Sequence, residues 1–162
     1  MAGDSTRVRL ADERDADGLL EICHSVHEEN GLFSYSREKV RRQAIGALKG
    51  DVSHRTGVAG VIGEPGRLHG AILLSIGQEW YSDDWCLNEL FSFVYPEFRS
   101  TTASQDLLAF ADEVQSKFGI PLLIGVLSNH RTEAKVRLIR KQFGAPAGAF
   151  FVRGAVTGQG VH

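Results

Sequence analysis

Apolar positions along this chain recur at two spacings, about 3.6 residues for a helix and two for a strand. Thr6 to Leu10 alternates like a short first strand. Asp12 then stands as an N-cap before acidic residues, and Leu19, Leu20, Ile22, Cys23 and Val26 recur at helical spacing, which predicts a helix over 12–28 ended by Asn30-Gly31. Ser36 opens a second helix to Leu48, with Val40, Ile45 and Leu48 apolar. Thr56–Ile62 and Leu68–Ile76 read as strands joined by the turn Gly63-Glu64-Pro65-Gly66. Trp85–Val94 is apolar on both faces, as a central strand is, and Pro96 ends it.

The clearest helix runs over 102–118. Leu107, Leu108, Ala111, Val114 and Phe118 form its stripe, Thr102 and Gln105 have capping-box spacing, and Gly119 with Pro121 stops it. Pro121–Leu127 is a short apolar run expected to be a buried parallel strand. Thr132–Phe143 is a last helix with Ala134, Leu138, Ile139 and Phe143 inward, and Ala149–Val152 a final strand. The order β-α-α-β-β-β-α-β-α-β predicts an α/β domain. Its central sheet is mixed and mostly antiparallel, with one right-handed βαβ crossover from the 85–94 strand to the 121–127 strand. No G-x-G-x-x-G follows a strand, so a dinucleotide fold is excluded.

A chain of 162 residues with 43% hydrophobic residues suits one domain over 1–162, with a core at about 7–154 and a frayed tail at 155–162. The net charge of −2 supplies no basic field for nucleic acid. No run approaches the ~20 apolar residues of a membrane span, and MAGDSTRVRL has no apolar core for a signal peptide. Cys23 and Cys86 are far apart and read as reduced thiols of a cytoplasmic protein.

Chemistry concentrates in WCLNELFSFVYPEFRSTTASQDLLAFA, residues 85–111. A buried strand ends, Pro96 turns the chain, Arg99 follows, and a helix begins near Thr102. A helix N-terminus offers unsatisfied N–H groups and a partial positive charge, so with Arg99, Thr101, Thr102 and Ser104 it can hold a diphosphate. An ordinary capped helix behind a turn has the same residues. The segment resembles the acetyl-CoA-binding core of the GNAT superfamily, whose strand ends V-x-P-x-x-R as Val94, Pro96 and Arg99 do here. RVRLADERDADGLLEI is similar to that family's first strand and helix. Residues 124–144, with Asn129 at their start and Phe143-Gly144 at their end, are similar to its later strand–helix pair.

The resemblance implies an N-acetyltransferase fold with one splayed parallel strand pair. Acetyl-CoA would lie in the splay as cosubstrate. Exposed main chain at Phe93 and Val94 would pair with the pantetheine arm, as an added strand pairs with a sheet edge. N–H groups at Arg99, Ser100, Thr101, Thr102, Ala103 and Ser104 would hold the diphosphate, with Asn129 a further contact. Thr102 and Ser104 stand where the family pattern expects glycine. Ile139 stands where the family often has the tyrosine that protonates the departing thiolate. A catalytically weak or inactive acyl-CoA-binding protein of the same fold is therefore the alternative.

The amine acceptor, a small molecule or a peptide, arrives protonated and needs a base. Glu89 is the candidate, expected on the face of Phe91 and Phe93, where burial raises its pKa. A strand-end glutamate facing solvent is the plain alternative. Acceptor pockets are expected in the loops at about 28–36 and 77–85, with Glu28, Glu29, Asp83 and Asp84 drawing a cationic amine. Trp80, Tyr81 and Trp85 either line that pocket or pack at a rim. His24, His27 and Glu28 share one helix face but lack a further strong ligand, so no metal is expected. Arg131, Lys135, Arg137, Arg140 and Lys141 stand against the single acid Glu133 on the last helix, as a solvated face or as contacts to the CoA 3′-phosphate. The family has a further C-terminal strand, so a homodimer that completes the sheet is an expectation.

Overall fold

The computed structural model of the chain describes residues 7–48, 56–128 and 131–154. The strands are β1 (Arg9–Leu10), β2 (Gly57–Glu64), β3 (Arg67–Gln78), β4 (Trp85–Val94) and β5 (Leu122–Leu123). The helices are α1 (Ala16–Asn30), α2 (Arg37–Ala47), α3 (Ala103–Phe118) and α4 (Thr132–Phe143), and short 3-10 turns at Glu13–Asp15 and Pro96–Phe98 precede α1 and α3. The strands form one five-stranded sheet in chain order. Its first four strands are antiparallel neighbours, and β5 joins β4 in parallel.

Local chemistry explains the element ends. Asp12 caps the first turn by accepting from Arg14 N, and Ser36 Oγ accepts from Lys39 N before α2. Pro65 and Gly66 make the two-residue turn between β2 and β3, with Gly66 at φ 84°. Gly119, at φ 65°, ends α3 in the left-handed conformation. The capping box expected at Thr102 and Gln105 does not form. Thr102 Oγ1 bonds Asp106 Oδ2 at 2.8 Å instead, and Thr101 Oγ1 accepts from Ala103 N at 3.2 Å.

Alternation along the strands divides the core in two. Ala71 and Leu73 of β3 point to one face, where Leu19 and Ile22 of α1 and Ala44 of α2 cover them. Ile72 and Leu74 point to the other face, against Leu107, Ala111 and Val114 of α3. Burying each such side chain contributes roughly 1.5–3 kcal/mol. The helices therefore lie on both faces of the sheet.

A charged group is buried at the entry to α1. Asp15 is fully buried and accepts from Arg9 Nη1 and Nη2 at 2.9 and 2.8 Å, and from Asp12 N at 2.9 Å. Arg9 also donates to Gly63 O at 3.0 Å, so the pair pins β1 and the α1 entry to the end of β2. Asp15→Ala should destabilise the fold by about 2–3 kcal/mol, the worth of charge-assisted bonds, in urea denaturation. An unchanged midpoint would show that the pair contributes nothing net.

Two expected strands fall short. The 121–127 run pairs with β4 only through Leu122 and Leu123 and then leaves the sheet. Ala149–Val152 is not a strand: Phe150 and Phe151 are 85% and 94% exposed. Neither side chain belongs to a core cluster of the described residues, so nothing packs the segment onto its own sheet. Helix α4 falls at the expected bounds, but Ala134, Leu138, Ile139 and Phe143 are only half-buried and join neither core cluster.

Candidate functional site

The site is built around a fork. β4 and β5 pair at Leu87↔Leu122 and Asn88↔Leu123, and the next residues of the outer arm, 124–128, run free of the ladder. From Glu89 to Val94 the outer edge of β4 is open. A bulge sits at the mouth of the fork: Leu73 pairs with Phe91 but Leu74 with Glu89, so Leu90 is the extra residue.

Two backbone bonds give the direction of the main-chain groups. Leu87 N donates to Pro121 O at 2.8 Å, toward β5, and Tyr95 N donates to His69 O at 2.9 Å, toward β3. Alternation from Tyr95 turns the main chain of Val94 and Ser92 to the open edge and that of Phe93 to β3. The carbonyl oxygen of Phe93 lies only 2.6 Å from where a Cβ on Gly70 would stand, as that direction requires. Phe93 is thus not an edge residue, contrary to expectation. Val94 is, but its carbonyl already accepts from Arg99 Nε at 2.8 Å. Ser92 and the Val94 N–H remain on the open edge.

The bulge also moves Glu89. Without it, Glu89 would share a face with Phe91 and Phe93. Opposite Leu74, it lies instead on the face of Leu74 and Leu87, the α3 side of the sheet. Its carboxyl bridges the fork by accepting from the N–H of Gly125 on the outer arm. Burial raises its pKa from 4.5 to about 7, and the Gly125 bond opposes that rise.

The turn into α3 is held from below. His69 stacks on Phe98 with ring centroids 3.9 Å apart, which seats the Pro96–Phe98 turn. The N–H groups of Arg99 and Thr101 bond back to Pro96 O and Phe98 O, and that of Ala103 to Thr101 Oγ1. The N–H groups of Ser100, Thr102 and Ser104 make no hydrogen bond within the described residues. Ser100, Thr101 and Thr102 are exposed and Ser104 is half-exposed, so this end of α3 is open to an anion. Of the six residues 99–104, alternate ones present free N–H groups.

The Arg99 side chain is engaged elsewhere. Besides Val94 O, it reaches Glu29 Oε2 of α1 at 2.6 Å and lies 5.4 Å from the Phe93 ring centroid. Lys135 of α4 approaches Glu29 at 4.0 Å and bonds Asn30 Oδ1 and Ser128 Oγ. Desolvation and the nearby Arg99 and Arg131 lower the Lys135 pKa, against the pull of Glu29. This network ties α1, the β4 end, the outer arm and α4 together. Arg99 is therefore a strut of the fork, where the sequence pointed to a phosphate ligand. Asn129 lies outside the described residues.

On the α1 side the fork adjoins a cavity of ≈ 540 Å³ lined by the α1–α2 loop, by Leu90 and Phe91 of the bulge, and by Leu127 of the outer arm. The expected loop 28–36 contributes to it and the loop 77–85 does not. Trp80, Tyr81 and Trp85 are exposed at 92%, 72% and 54%, away from the cavity. Asp83 and Asp84 are exposed as well, and Glu29 is spent on Arg99. His27 Nε2 lies 2.6 Å from Phe33 O, and His24 and His27 pack on the Tyr35 ring. Among the described residues no group of three or more His, Cys, Asp or Glu could hold a metal, and no helix is long and apolar enough to cross a membrane.

No protein-family model matches the chain, and no curated protein is similar to it in sequence. Solved structures are similar in shape. An integron cassette protein, HFX_CASS3, from the mobile metagenome of Cole Harbour Salt Marsh matches at TM-score 0.67 and 20% identity, over 97% of this chain and 95% of that one. The ribosomal-protein-alanine N-acetyltransferase of Brucella melitensis biovar Abortus 2308 matches at TM-score 0.61 and 15% identity, over 91% and 98% of the chains. AAC(6′)-Iy, in complex with the bisubstrate analogue CoA-S-monomethyl-acetylneamine, matches at TM-score 0.64 and 14% identity, over 91% and 96%. The chain shares its fold with these acetyltransferases. The mixed, mostly antiparallel sheet and the splayed parallel pair agree with expectation, and the shortened fifth strand departs from it.

Sequence reasoning missed the bulge, the Glu29–Arg99–Lys135 network and the cavity. The bulge has no glycine or proline at Leu90 to announce it. The network joins residues far apart in the chain, which no local pattern reveals.

Proposed function

We propose that this chain is an N-acetyltransferase that moves an acetyl group from acetyl-CoA directly to an amine, as one domain. The observation that carries this reading is the open fork beside a helix start with three bare N–H groups. The fork leaves a strand edge bare at Ser92 and Val94, where a pantetheine arm can pair as an added strand. The free N–H groups of Ser100, Thr102 and Ser104, with the positive end of the α3 dipole, suit a diphosphate. AAC(6′)-Iy, whose structure holds a CoA bisubstrate analogue, shares this fold.

In the reaction the carboxylate of Glu89 takes a proton from the acceptor ammonium, directly or through water in the fork. The neutral nitrogen attacks the acetyl carbonyl carbon, and the carbonyl oxygen takes up the charge. A main-chain N–H at the bulge stabilises that charge. The C–S bond then breaks, the attacking nitrogen releases its second proton to water in the fork, the neutral amide leaves, and the CoA thiolate takes a proton. Ile139 has none to give. Lys135, one turn earlier on α4 and with a lowered pKa, is the acid nearest the outer arm.

The second reading is an acyl-CoA-binding protein without turnover, and the apolar, half-buried Ile139 favours it. A thermal-shift titration with acetyl-CoA and a thiol-release assay with a panel of amines separate the two. A shift with thiol release supports the transferase, and a shift without release for any amine supports the binder. No shift at millimolar acetyl-CoA rejects both. Cys23 and Cys86, buried and unpaired, fit the reducing cytoplasm.

The exposed Phe150 and Phe151 and the short β5 support a homodimer in which this segment extends a partner's sheet. Sedimentation at high concentration should give a dimer that Phe151→Asp reduces to monomer. A monomer for the unaltered chain removes the proposal.

A further inference from the structure

The cavity beside the fork has a charge pattern that narrows the acceptor, if the transferase reading holds. Its volume of ≈ 540 Å³ lies in the range of about 300–1,000 Å³ typical of small-molecule sites. Val26, Phe33, Val40, Leu73, Leu90 and Phe91 give its wall an apolar character. Among the described residues its lining contains no aspartate or glutamate, and Lys39 is the formally charged side chain there, with His27 beside it. The neighbouring carboxylates do not change this. Glu29 is paired with Arg99 at 2.6 Å, and the exposed Glu28 pairs at 3.7 Å with His24. Among the described residues Glu89 is the remaining carboxylate at the fork, with the Gly125 N–H as its hydrogen-bond donor.

A molecule bearing several ammonium groups would have to leave water for this wall with no partner for all but one of them, which is strongly unfavourable. A molecule with one amine matches one carboxylate, and an apolar body matches the wall. The cavity reaches the fork through Leu90, Phe91 and Leu127, so a body seated there points its free end at the gap between β4 and the outer arm. Beyond Asn88 the strands no longer close that gap, so the gap joins the cavity face to the face that carries Glu89. We infer that the acceptor is a primary monoamine with an aryl or alkyl body, seated in the α1–α2 cavity with its nitrogen at the fork. The aminoglycoside acetyltransferases of the same fold then differ from this chain in acceptor class.

The test compares phenethylamine and hexylamine with spermidine and kanamycin as acceptors, by thiol release from acetyl-CoA. The monoamines should give kcat/KM at least about tenfold higher than the polyamines, chiefly through lower KM. Phe33 is exposed, so Phe33→Asp should leave the fold intact. It should lower kcat/KM for phenethylamine at least about tenfold and leave the acetyl-CoA Kd, measured by calorimetry, unchanged. Spermidine or kanamycin equalling the monoamines overturns the inference, and so does an unaffected Phe33→Asp enzyme. Acetyl-CoA binding with no turnover of either monoamine overturns it too. Failure to bind acetyl-CoA at all is a different result and removes the transferase reading beneath it.

Discussion

Glu89→Gln lowers acetyl transfer by about 10²–10⁴-fold, the usual worth of a general base, while acetyl-CoA binds as before. The wild-type rate should rise with pH through about 7, where Glu89 ionises, and level off above it. The glutamine variant has no such limb, because an amide does not titrate in that range. The same substitution should act on stability with the opposite sign. The folded-state pKa of Glu89 is raised from 4.5 to about 7, so between those values the folded protein holds a proton that the unfolded chain has released. Stability from this group is therefore fully present below pH 4.5 and lost as pH rises through about 7. At 1.36 kcal/mol per pH unit the loss is at most about 3 kcal/mol. Urea denaturation at pH 5 and pH 8 should show Glu89→Gln matching the wild type at the lower pH and exceeding it at the higher one. Full activity of the variant at every pH would remove Glu89 from the mechanism. A stability difference independent of pH would show that its carboxyl is not desolvated in solution.

Ser104→Asp should separate the fold from the cosubstrate. Ser104 lies in the first turn of α3, where a negative charge meets the positive end of the helix dipole and contributes about 0.3–1 kcal/mol of stability. That carboxylate would occupy the approach to the free N–H groups of Ser100, Thr102 and Ser104. Two like charges about 5 Å apart repel by about 3 kcal/mol at an effective dielectric of 20, so acetyl-CoA affinity should fall at least about 10²-fold. A melting temperature that holds or rises while the acetyl-CoA Kd weakens is the expected pair of results. Since salt screens such repulsion, the defect should shrink at 0.5 M salt. An unchanged Kd means that no diphosphate sits at this helix end. Arg99→Ala is the less informative variant, because Arg99 also holds Glu29 and the end of β4. Its loss would loosen the fork and confuse binding with folding.

Some of the site was legible before any coordinates. The β4 limits, the Pro96 turn and the start of α3 follow from local chemistry: apolar continuity, a ring that cannot donate, and a helix that must begin with bare N–H groups. The glutamate on β4 was visible as the one charge in an apolar run. Its side of the sheet was not, because a two-residue period carries it to the wrong face once Leu90 is inserted. Arg99 shows the same limit differently. Beside a helix N-terminus it resembles an anion ligand, yet Glu29, seventy positions earlier, claims it.

The chain's own pattern of apolar residues determined which elements form, their order, and that a central strand leads into an exposed helix start. Period and capping are short-range properties, set by sterics and hydrogen bonds within a few residues. Tertiary structure alone decided where β4 and β5 part, which edge amides stay bare, which arginine becomes a strut, and which walls enclose the acceptor cavity. Each of these depends on contacts between segments distant in sequence, and the free energy of such contacts is written in no single stretch of the chain.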